Sequence, residues 1–205
     1  MSSAKHEVKK KSKKWLILTI VLMAFICVLA FFALDNNLTL TEYTFASERL
    51  PESFDGYKIL AVCDLHSQEF GGHQSELIEC INAVNPDIIV LLGDIIDAKN
   101  PLFEPLENLL SGIYSDYTIY AISGNHENAL SYSDFTTLKK LYSSYSVTFL
   151  RDEGIELSLR DSSDSIMLWG GDDPPVWNDS AIDYIAENGL GVSPTPGMFN
   201  IFLYH

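Results

Sequence analysis

Three short strings in this chain hold residues whose types and spacing suit metal-assisted chemistry: Asp64-Leu65-His66, Gly93-Asp94-Ile95-Ile96-Asp97 and Gly124-Asn125-His126-Glu127. Asp64 and His66 lie two apart, so in extended backbone a carboxylate and an imidazole point the same way and can converge on one cation. Asp94 follows a glycine, which permits a sharp turn, and a carboxylate there can bridge two cations where a neutral imidazole cannot. Asn125 offers an amide oxygen, and His126 an imidazole that titrates near neutral pH. The chain also holds His205 at the end of a late apolar run. Oxygen and imidazole donors without sulfur suit manganese, iron or zinc alike.

The elements that must position these residues follow from the pattern around them. Each string ends a largely apolar run, Tyr57 to Cys63, Asp87 to Leu92 and Tyr117 to Ser123, which reads as a buried strand. Helical patterns near 73–84, 103–112 and 133–144 alternate with those strands, which predicts a sheet with helices packed on its faces. Leu38 to Ala46 alternates apolar and polar residues and reads as a first strand. Val147–Leu150, Ile155–Leu159 and Ile166–Gly170 read as short strands in a more antiparallel section. A helix over Ser180 to Asn188, capped by Asp179 or Ser180, and a last strand over Phe199 to Tyr204 complete the reading.

In order, and each at a strand end, the three strings resemble the motifs of the calcineurin-like metallophosphoesterases. Within that superfamily the chain is most similar to membrane-anchored bacterial phosphoesterases, from about Leu50 to His205. The resemblance implies a four-layer α-β-β-α sandwich with two divalent metal ions. It implies that Asp64 and His66 bind one metal, that Asp94 bridges both, and that Asn125 and His205 bind the second. His126 would then assist the leaving group, and Asp97 would orient His126. The implied reaction is hydrolysis of a phosphomonoester or phosphodiester by a metal-bridging hydroxide. The family adds two ligands from a later Gly-His-x-His motif, which does not occur after His205. The expectation is therefore a domain incomplete at its C-terminus. The alternative is a catalytically inactive fragment or a membrane-anchored binding module without a complete dinuclear site.

Lesser candidates receive plainer readings. His73 suits a helix start better than substrate contact, Asp172 and Asp173 suit an exposed turn, and Glu127 suits solvent or a cap better than a metal. Tyr114, Tyr117 and Tyr120 read as packing residues, and Cys63 and Cys80 as core thiols rather than a disulfide pair.

Trp15 to Leu34 is an apolar run with no charge and no proline, long enough to cross a bilayer. Six lysines precede it, so by the positive-inside rule the tail 1–14 stays cytoplasmic and the rest lies outside. A cleaved signal peptide is the rival reading; Phe31-Phe32-Ala33-Leu34 is a poor cleavage site, and Cys27 lacks a lipoprotein context. The expected organisation is a tail (1–14), a transmembrane helix (15–34), a linker with a first strand (35–50) and a metallophosphoesterase domain (51–205). That places a single-pass protein in the cell membrane with its catalytic domain extracytoplasmic. A tether there favours a lipid or cell-envelope phosphoester as substrate. Residues 35–205 carry 7 basic and 27 acidic residues, hence −20, which disfavours nucleic acid as a partner.

Overall fold

The computed structural model describes residues 15–26, 38–172 and 193–205 of the 205-residue chain. It divides into two units, Met1–Glu42 and Tyr43–His205. In the first, residues 15–26 form a helix (α1) whose large apolar side chains are all exposed. Among the described residues no helix is long and apolar enough to cross a membrane. The remainder of the expected span, 27–34, lies outside them, as do the basic tail, Asp173 and the helix expected over 180–188. Residues 38–46, expected as a strand, belong to none and are mostly exposed. Alternation defines a strand only where a neighbouring edge accepts its backbone, and none does so here among the described residues.

The second unit is built on a parallel sheet. β1 (Ile59–Val62), β2 (Ile88–Leu92), β3 (Thr118–Ile122) and the two-residue β4 (Thr148–Phe149) lie in that order, every neighbour parallel. The crossovers are α2 (Ser75–Val84), α3 (Glu104–Ile113) and, after a short α4 (Asn125–Ala129), α5 (Tyr132–Ser144). Each helix follows from its pattern. Leu106, Leu109, Leu110 and Ile113 form one buried stripe on α3, and Leu138 and Tyr142 are buried one turn apart on α5. Ser131 caps α5 by accepting the Asp134 N–H.

A second sheet, β5 (Glu153–Ser158), β6 (Ser165–Gly170) and β7 (Phe199–Leu203), lies in that order. β5 and β6 pair antiparallel, whereas β6 and β7 pair parallel. The antiparallel expectation thus holds for β5 and β6 alone. Val147–Leu150 joins the parallel sheet instead, because β3 would otherwise keep an open edge.

The two sheets meet over one apolar core. Ile88 and Val90 of β2, Tyr120 and Ile122 of β3, and Leu150 face Leu157, Ile166, Leu168 and Leu203. Burying each such aliphatic side chain contributes about 1.5–3 kcal/mol. The alternate residues Ile89, Leu91 and Ala121 are also fully buried, as a parallel sheet between two layers requires. The described residues therefore give a helical layer, a parallel sheet and a second sheet. Cys63 departs from expectation: it is exposed, one residue beyond β1, and Cys80 is half-buried.

Candidate metal centre

Parallel pairing brings the carboxyl ends of β1, β2 and β3 to one edge, so the loops that follow them share a rim. Beyond the strand ends, the first two loops continue the ladder. Asp64 N donates to Gly93 O (3.3 Å), His66 N to Asp94 O (2.9 Å) and Ser67 N to Ile95 O (2.9 Å). Asp64, His66, Ser67 and Asp94 all have φ between 47° and 58°, in the left-handed region. Such conformations cost of order 1–3 kcal/mol each and persist only where neighbouring bonds fix them. Here three interloop bonds do so.

Asp94 is the hub. Its carboxylate is buried, and Oδ1 accepts the His126 backbone N–H at 2.8 Å. Around Oδ2 stand Nε2 of His205 at 3.7 Å, His66 at 3.8 Å and His126 at 3.9 Å. The Asn125 amide stands beside the same carboxylate: its nitrogen turned there donates to Oδ2 (2.7 Å) and Oδ1 (3.0 Å), and the opposite turn presents its oxygen to the centre as a ligand. Asp64 Oδ1 completes the group, 3.5 Å from His205 Nε2 and 3.7 Å from His66 Nε2.

Two glycines make this approach possible. Gly93 has φ +79°, and a Cβ on it would stand 2.7 Å from the His205 ring and 2.8 Å from Gly124. A Cβ on Gly124 would collide with Asp94 Oδ1. The second sheet can therefore deliver His205 over the first only because Gly93 has no side chain.

The donor set fits divalent cations. His66, Asp94 and His126 form one triad and Asp64, Asp94 and His205 another, with donor atoms in each within 4.8 Å of one another. A cation bound at about 2.1 Å has tetrahedral donors about 3.4 Å apart. The observed separations of 3.5–3.9 Å lie close to that, and Asp94 is common to both triads. Asp64 stands beside both His66 and His205, and His66 also stands edge-on to His126 with ring centroids 4.4 Å apart.

Asp97 and His126 are also brought together, but differently from the expectation. The Ala98 N–H donates to His126 Nδ1 at 3.1 Å, while Asp97 Oδ1 lies 3.5 Å from that nitrogen and accepts the Lys99 N–H at 2.7 Å. A ring that accepts at Nδ1 carries its neutral-form proton on Nε2, which faces the centre. The Lys99 N–H, helped by His126, holds the Asp97 carboxyl below its usual range despite some desolvation. Ser67 Oγ accepts the Asp97 N–H at 3.1 Å and fixes the base of this loop.

Glu127 departs most from its sequence reading. It is 1 % exposed rather than solvent-facing. Its Oε2 accepts the N–H groups of Asp94 (2.7 Å) and Gly124 (2.9 Å), and its Oε1 accepts that of Ile96 (2.9 Å). The capping half of the expectation holds, since Gly124 precedes α4 and Glu127 is its third residue. Burial, together with the nearby Glu127 charge, pushes the Tyr142 hydroxyl far above its usual range.

The remaining candidates take structural places. His73 is exposed, with φ 55°, and donates its N–H to Glu69 at 2.7 Å. Asp172 accepts from Arg151 Nε at 2.8 and 3.0 Å, and Arg151 Nη2 also reaches Asn128 at 3.4 Å. That pair joins the loop after β4 to the loop after β6. Tyr120 is buried in the core between the sheets, Tyr114 packs on Tyr145, and Tyr117 bonds Asn82.

A three-motif rim on parallel strand ends has a counterpart among known proteins: residues 57–191 match the family described as calcineurin-like phosphoesterase. The chain belongs to that family. Among its relatives is a bovine (Bos taurus) protein named transmembrane protein with metallophosphoesterase domain, 29% identical over 131 residues, covering 61% of this chain and 29% of that protein. Two metallophosphoesterases of Bacillus subtilis, YkuE and YkoQ, are 32% and 31% identical over 127 and 101 residues. Those matches cover 60% and 48% of this chain and 44% and 37% of the relatives. The chain thus spans less than half the length of each of these calcineurin-like relatives.

Proposed function

We propose that this chain carries the metal centre of a phosphoesterase that cleaves a phosphomonoester or phosphodiester at the outer face of a membrane. The observation that carries the reading is buried Asp94 with His66 and His205 about one of its oxygens and Asp64 beside both rings, on a calcineurin-like fold. Two divalent cations held by Asp64, His66, Asp94, Asn125 and His205 would supply Lewis acidity, lowering the pKa of a water and neutralising phosphoryl charge.

The chain's own residues do the rest. Asp94, fixed through Oδ1 by the His126 N–H, keeps Oδ2 turned to the centre. His126, oriented by the Ala98 N–H, presents its Nε2–H on the same side and can hydrogen-bond a departing oxygen. Asp97 places a carboxylate oxygen 3.5 Å from the far nitrogen, Nδ1. The membrane tether rests on the lysine-rich flank, on the uncharged run to Leu34, and on relatives from Bos taurus and Danio rerio named as transmembrane proteins. A lipid or envelope phosphoester follows from that location.

The test is hydrolysis of a generic aryl phosphodiester by the purified chain with Mn²⁺, against Asp94→Ala. Manganese-dependent turnover that falls at least about 100-fold in the variant is expected, since second-shell changes alone cost 10–100-fold. Turnover that survives the substitution overturns the dinuclear reading. Weak or absent manganese loading would favour the inactive-fragment or binding-module alternative.

A further inference from the structure

Glu127 buries a carboxyl group between the loops that carry the centre, and backbone N–H groups donate to both of its oxygens. A lone buried carboxylate is unfavourable unless its lone pairs are filled. Here three backbone N–H groups fill them, and those groups come from two separate loops. Asp94 and Ile96 belong to the loop after β2, and Gly124 to the loop after β3.

We propose that Glu127 is a positioning residue for the metal centre: its carboxylate ties the loop bearing Asp94 to the loop bearing Asn125 and sets the spacing between them. The proposal rests on the reading that Asp94 and Asn125 serve metal. Oε2 alone receives both the Asp94 N–H and the Gly124 N–H, so a single atom fixes the distance between the two loops. The same bond holds Asp94 in its left-handed conformation, from which the side chain reaches the three imidazoles. Bonds from neutral donors to an ionised acceptor are shorter and about twice as strong as neutral pairs, which suits a fixed spacer.

This role separates from mere space-filling through one isosteric change. Glutamine has the shape of glutamate but only one accepting oxygen. In Glu127→Gln the amide can serve Ile96 or the Asp94 and Gly124 pair, while its NH₂ opposes the other N–H groups. A packing role predicts that Gln restores wild-type behaviour; a spacer predicts that it does not.

The experiment measures Mn²⁺ affinity calorimetrically on the full chain, wild type and Glu127→Gln, with backbone amide exchange followed before metal is added. Expected are a 10–100-fold weaker affinity in the variant and faster exchange at the Asp94, Ile96 and Gly124 amides. Equal affinity and unchanged exchange overturn the proposal. Should the variant fail to fold, wild-type exchange decides: those three amides must be among the slowest, and fast exchange there overturns it too. A wild-type chain that ignores Mn²⁺ but protects these amides refutes the metal reading and leaves the loop tie standing.

Discussion

The two sheets contribute to the centre in unlike ways. The parallel sheet supplies Asp64, His66, Asp94, Asp97, Asn125 and His126 from three successive strand ends, cross-braced by interloop hydrogen bonds and by Glu127. Among the described residues the second sheet supplies His205 alone, just beyond the end of β7. Parallel topology explains the first: every strand end faces the same way, so each loop adds to one rim. β7 reaches that rim because it too runs parallel to its neighbour β6, with Gly171 N donating to Leu203 O at the exit. Local hydrogen bonding sets six of these residues, whereas the packing of sheet on sheet places the seventh.

That contrast can be broken by weakening one interface at a time. Leu168 is fully buried in the intersheet core, and Leu109 is fully buried on α3. Either Leu→Ala change is expected to cost about 2–5 kcal/mol in denaturant unfolding. Only Leu168→Ala should also weaken Mn²⁺ binding in calorimetry, because only it loosens the sheet that carries His205. Equal metal affinity in the two variants would erase the distinction.

A smaller effect is expected where the sheets touch at the rim. Gly93→Ala places a Cβ 2.7 Å from His205 and imposes a side chain at φ +79°. It should destabilise the fold by about 1–3 kcal/mol and displace His205 more than His66. Imidazole resonances followed by NMR would report which ring moves.

The smallest expected effect lies away from the centre. Burial, with the Asp87 charge second, pushes Tyr57 up to about 12 from 10.0. The fold thus favours the neutral phenol. Its contribution is fully present below pH 10 and is lost as pH rises through about 12. Urea unfolding should show less stability at about pH 11 than at about pH 9, and Tyr57→Phe should flatten that difference.

How much of this was legible in the sequence follows from where each signal resides. The strands bearing the motifs were readable because Ile88 to Leu92 is continuously apolar and ends at a glycine, a pattern set by burial on both faces. Helices α2, α3 and α5 fall within two residues of their expected bounds. Residues 38–46 misled because alternation records a half-buried face and not a pairing partner. The placement of β4 and the parallel pairing of β7 depend on which edges remain open, which is a property of the assembled sheets. At the centre, side-chain donors were legible, but the Ala98 N–H on His126 was not, since a backbone donor has no residue type. Glu127 left a partial signal: an acid at the third helical position marks a cap, yet nothing local says that the same carboxylate also reaches a second loop.

His205 on β7 also gives the centre a history. During synthesis, the chain up to Asn125 already contains four of the oxygen and nitrogen donors and most of the helical layer that backs them. The fifth arrives only after the whole intervening sheet has been made and β7 has zipped onto β6. A nascent domain therefore exposes an acidic, half-walled cup to the surrounding solution until β7 brings His205 over it, and cation capture through all five donors has to wait for that pairing.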